Sequence, residues 1–151
     1  MRIDELSFRH GKEILAHHPE AFASILAAII NAQEAHVRKP RISLACHLHR
    51  EFLSEGWTKG KKTEPHFSFL KNRVAIEIQL SSYELFFRSF LRFLSAYRGD
   101  EINAGVLVTC AKPIRSHTEP KSAMPTIERV KDDVLSLRQA LTVPIWIIAL
   151  K

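Results

Sequence analysis

Glu77 and Gln79 stand two residues apart in the segment Val74-Ala75-Ile76-Glu77-Ile78-Gln79-Leu80. Val74, Ile76, Ile78 and Leu80 alternate there with the residues between them, the pattern of a strand with one apolar face. On such a strand Glu77 and Gln79 share the opposite face. A carboxylate beside an amide, on a hairpin of a mixed sheet, can hold a hard cation and orient a water molecule. The same pair also suits a strand face that is only solvated, and spacing by itself leaves both readings open.

Other residue types with chemical potential flank this segment. Lys59, Lys61 and Lys62 precede it and could track a nucleic-acid backbone, or form a basic turn on a solvated face. Arg88 and Arg92 follow it at i, i+4 on a helix, suited to phosphate contact or, for Arg88, to pairing with Glu84. Histidines are numerous, but His47 and His49 at i, i+2 on a helix do not share a face, and neither do His17 and His18, so zinc sites are not expected from them. His66 is read as structural. No glycine-rich phosphate loop, nucleophile elbow or dinucleotide fingerprint occurs.

The elements that must position Glu77 and Gln79 are legible from periodicity. Residues 10–18 read as a helix, and a second helix begins at Pro19 with Phe22, Ile25, Leu26, Ile29 and Ile30 on one face. Ser43 caps a third helix through about Glu55, with Gly56 as its stop. Residues 57–62 suit a short strand or turn, and His66 to Leu70 a strand, with Lys71-Asn72 as the two-residue turn into the Glu77 strand. Ser81 or Ser82 caps a helix that is apolar over most of its girth, from Tyr83 to Tyr97, and is expected to be buried on several sides. Ala104 to Cys110 is a buried strand, 112–125 a surface loop carrying Lys112, Arg115, His117 and Lys121, and Thr126 opens a helix to about Leu141. Val143 to Leu150 is the last strand. Strand–helix–strand–helix–strand in succession predicts an α/β fold, a mixed sheet with right-handed crossovers flanked by helices.

A chain of 151 residues, 46% hydrophobic and 25% charged, fits one globular domain over residues 1–151. No apolar run is long enough to span a membrane, and the acidic start Met1-Arg2-Ile3-Asp4-Glu5 does not resemble a secretory signal. Cys46 and Cys110 form no metal-type pair, in keeping with a reducing cytoplasm. The net charge of +6 favours a polyanionic partner.

The stretch Lys71-Asn72-Arg73-Val74-Ala75-Ile76-Glu77-Ile78-Gln79 resembles the catalytic hairpin of the PD-(D/E)XK nucleases, and specifically the restriction endonucleases of the BglII and BstYI type, where "D-F-x-K-x-R-V-A-x-E-x" surrounds the active site and glutamine replaces the usual lysine. Weaker likeness extends over His10 to Leu15, Glu51 to Trp57, Phe86 to Val108 and residues 126–150. The resemblance implies a restriction-endonuclease-like core and hydrolysis of phosphodiester bonds in double-stranded DNA. It also implies magnesium, with manganese as a substitute, a homodimer and a cognate methyltransferase. It makes Glu77 a metal ligand, Gln79 the contact to the attacking water or phosphate, and the carbonyl of Ile78 a further ligand. Lys59, Lys61, Lys62, Lys71, Arg73, Arg88 and Arg92 become candidates for DNA contact. The family's aspartate falls at Ser68, nine residues before Glu77. Three accounts of that departure stand: Glu64 or Glu13 supplies the missing carboxylate, the protein binds DNA or a partner without cutting, or the serine is an introduced inactivating change. Little of the chain is left over for recognition loops beyond 112–125.

Overall fold

The computed structural model describes residues 3–60, 67–80, 83–112 and 126–151; of Glu84 only the backbone is described. In chain order the elements are β1 (Ile3–Phe8), α1 (Gly11–Ala16), α2 (Pro19–Arg38), α3 (Leu44–Ser54), β2 (Thr58–Lys59), β3 (Phe69–Lys71), β4 (Val74–Ile78), α4 (Tyr83–Arg98), β5 (Ala104–Cys110), α5 (Ile127–Ser136) and β6 (Ile145–Leu150). The six strands make one mixed sheet in the order β1-β6-β5-β4-β3-β2. β4, β5 and β6 run parallel, joined through α4 and α5, while β1 and the β2–β3 arm are antiparallel.

Alternation along the strands sorts the core into two layers. Val74, Ile76, Val106, Val108, Trp146 and Ile148 pack against Ile25, Ile29, Leu48 and Phe52 of α2 and α3. Ala75, Leu107, Ile145 and Ile147 face Phe86, Phe90, Phe93 and Val130 of α4 and α5. Glu77, two residues from Ala75, therefore points to the α4 side. Local signals behave as expected at Pro19, the first residue of α2, and at Ser43, whose Oγ accepts from the Cys46 amide at 3.2 Å.

Four sequence expectations are corrected. First, β1 was not anticipated: Ile3 faces one layer whereas Leu6 and Phe8 face the other, so no apolar alternation marks it. Second, the hairpin turn is Asn72-Arg73 rather than Lys71-Asn72, since Lys71 pairs with Val74. Both turn residues have positive φ, 48° and 62°, as in the mirror-image turn that matches strand twist. β3 accordingly starts at Phe69, later than His66, which itself lies outside the described residues. Third, α4 is buried on one face only, with Leu85, Phe87 and Leu91 exposed. Fourth, α5 ends at Ser136, short of Leu141.

Candidate functional site

Register places the first contact. Phe69 pairs with Ile76, so Ser68, one residue before β3, lies opposite Glu77. Ser68 Oγ donates to Glu77 Oε2 at 3.2 Å and accepts from the Ile78 amide at 3.3 Å. On the other side Arg92 Nη1 donates to Glu77 Oε1 at 3.0 Å. The carboxylate is only 2% exposed, so this is a buried ion pair on the Glu77 side, with the arginine side chain 28% exposed.

Helix α4 delivers Arg92 because it lies close on β5. A Cβ at Gly105 would come within 2.9 Å of the Phe93 ring, a contact that only glycine permits without a shift. One turn before Arg92, Ser89 also faces the sheet. Gln79 Nε2 donates to Ser89 Oγ at 3.2 Å, and Ser89 Oγ donates to the Leu85 carbonyl at 3.3 Å. The Glu77-x-Gln79 face is thus matched by Ser89 and Arg92, three apart on one helix face.

These groups border a cavity of about 450 Å3 lined by His49, Lys59, Gly60, Phe67, Ser68, Glu77 and Arg92. Among the described residues, Lys59 and Arg92 stand there beside one carboxylate. His49 packs on Phe69 with ring centroids 5.1 Å apart. Partial burial holds its pKa below the ordinary value, and the charge of Lys59 adds to the effect, which favours the neutral ring.

Of the residues singled out from sequence, Glu77, Ser68, Lys59 and Arg92 meet at this cavity. Gln79 is turned to α4, and Ile78 sits half-buried at the end of β4. Lys71 Nζ donates to the Glu55 carbonyl at 2.8 Å, and Arg73 pairs with Asp100 at 2.6 Å, both near the turn end of the hairpin. Arg88 is exposed on α4. Glu13 accepts from Ser7 Oγ of β1, which lowers its pKa. Two strands, β6 and β5, separate β1 from β4. Lys61, Lys62, Glu64 and the loop after Lys112, with Arg115, His117 and Lys121, lie outside the described residues. His49 was missed. Its only sequence partner, His47, is on another face of α3, and the residues it joins come from distant segments.

A hard divalent cation prefers several oxygen ligands, carboxylates above all. Among the described residues this site offers one carboxylate already paired with Arg92, a neutral hydroxyl and a backbone carbonyl, and no group of three or more His, Cys, Asp or Glu side chains is found. Those residues do not fit a firmly held divalent cation.

No curated protein matches the chain. A crystal structure of restriction endonuclease BglII complexed with a DNA 16-mer superposes with a TM-score of 0.78 at 15% identity, covering 99% of this chain and 76% of that one. A crystal structure of free BglII matches with a TM-score of 0.63 at 17% identity, covering 100% of this chain and 80% of that one. These likenesses establish the fold. At the level of sequence, the family described as restriction endonuclease BglII/BglIII matches residues 3–150, and so the chain belongs to that family.

Proposed function

We propose that this protein acts on double-stranded DNA as an endonuclease of the restriction type, and that the phosphodiester enters the cavity bounded by Ser68, Glu77 and Arg92. One observation carries the reading: the family hairpin brings residue 68 and Glu77 face to face in a cavity whose described lining also holds Lys59 and Arg92. The similar structure at TM-score 0.78 is a DNA complex, which supports duplex DNA as the partner. Such hydrolysis would require magnesium, or manganese in its place. Glu77 and the Ile78 carbonyl alone do not make a firm site, so a further acid, Glu64 outside the described residues, would have to complete the set. With the whole chain 1–151 acting as one domain, we further propose a homodimer, a cytoplasmic location and a cognate methyltransferase.

A second reading, that the protein binds DNA without cutting it, is favoured by a specific feature: Ser68, a neutral residue, stands at the family's aspartate position opposite Glu77, which is paired with Arg92. Incubation with supercoiled plasmid in magnesium or manganese separates the two. The endonuclease reading expects cutting that disappears in Glu77→Ala and Glu64→Ala. An inert wild type that still shifts duplex DNA in a gel, with nicking gained in Ser68→Asp, establishes the second. Absence of both cutting and DNA binding overturns both readings.

A further inference from the structure

A DNA phosphate approaching Glu77 meets a buried negative charge. In a two-carboxylate nuclease site that repulsion is relieved by the bound cation. Here residue 68 is neutral, and Arg92 is paired with Glu77 at 3.0 Å. A guanidinium carries five N–H donors in a rigid fork, and the contact to Glu77 Oε1 is made through Nη1. The side chain remains 28% exposed and lines the cavity together with Lys59 and the Ser68 hydroxyl. The fork can therefore bridge a carboxylate and a phosphate oxygen at once, as a cation would. The cavity, about 450 Å3, is roomy enough for a phosphodiester group.

We infer that Arg92 takes over the charge-balancing role of the divalent cation in the bound state: it neutralises Glu77 and binds a DNA phosphate directly, so that duplex DNA is held without a divalent ion. This rests on the reading of the cavity as the DNA site and adds how the phosphate is gripped there. Whether a bound strand is then cut is a separate question, answered by the plasmid assay above.

The test is equilibrium binding of a fluorescent mixed-sequence duplex oligonucleotide at low salt, in EDTA and in calcium, with thermal melts confirming that each variant is folded. Wild type binds with affinities that agree within about twofold in the two buffers. Arg92→Gln loses about tenfold in both, the scale of one charge-assisted hydrogen bond, and its salt dependence drops by about one phosphate contact. Arg92→Lys, which keeps the charge and is the safer variant for folding, retains most of the affinity. Wild-type affinity in Arg92→Gln, or a gain of tenfold or more on adding calcium to wild type, overturns the inference while leaving DNA binding intact. A wild type that binds no duplex in either buffer removes the reading beneath it as well.

Discussion

Arg92 and Glu77 are not energetically equivalent partners. Removing the arginine takes an ion-pair partner from a carboxylate that is 2% exposed, whereas removing the carboxylate leaves a guanidinium that can turn to water. Taking an ion-pair partner from a buried charge is the more expensive case. Arg92→Gln is accordingly expected to cost about 2–4 kcal/mol in urea melts and Glu77→Gln about 1 kcal/mol; equal costs would contradict the asymmetry. His49 gives a pH signature. Its folded pKa lies below the ordinary 6.5, so the unfolded chain takes up the proton more readily. The contribution is fully present above that value and is lost as the pH falls through it. His49→Gln should show a smaller drop in stability between about pH 7.5 and 5 than wild type does, and an unchanged drop would count against this account. At this scale the shared face of Glu77 and Gln79 was readable because a strand's period fixes it, while Ser68 came from the resemblance to the family's hairpin. Ser89 and His49 were not, since their partners lie on other elements.

Helix α4 turns that residue pattern into a site, and its placement depends on Gly105. A methyl group there would sit 2.9 Å from the Phe93 ring and push the helix, with Ser89 and Arg92, off the sheet. Gly105→Ala is predicted to cost about 1–3 kcal/mol, the range for an overpacked core. Adding Phe93→Leu should recover part of that loss, and a double variant no better than Gly105→Ala would mean the clash is not the cause. Most elements were legible: the caps at Pro19 and Ser43, the alternation of β4 and the continuous apolar runs of β5 and β6 are local signals. Edge strand β1 was not, because Asp4 and Glu5 interrupt it and its apolar residues are split between two layers. The turn was placed one residue early since neither Asn72 nor Arg73 is the glycine that usually marks a mirror-image turn. Apolar residues around most of α4 suggested burial on several sides, yet Leu91 is 66% exposed. Composition reports how apolar a helix is, not what covers it.

For the molecule as a whole, a net charge of +6, with Lys59 and Arg92 at the cavity, predicts that the proposed binding to duplex DNA is steeply dependent on salt, as phosphate contacts release counterions. The proposed homodimer has a natural candidate face in Leu85, Phe87 and Leu91 of α4. Sedimentation should find a dimer that Leu91→Glu converts to a monomer; a wild type that stays monomeric at high concentration would exclude it. The most direct measurement of the central claim is a crystal structure of the protein with a duplex oligonucleotide. It is expected to place a backbone phosphate in the cavity beside Ser68 and Glu77, within hydrogen-bonding distance of Arg92. A duplex seated on another surface, with the Arg92–Glu77 cavity empty of phosphate, would contradict it.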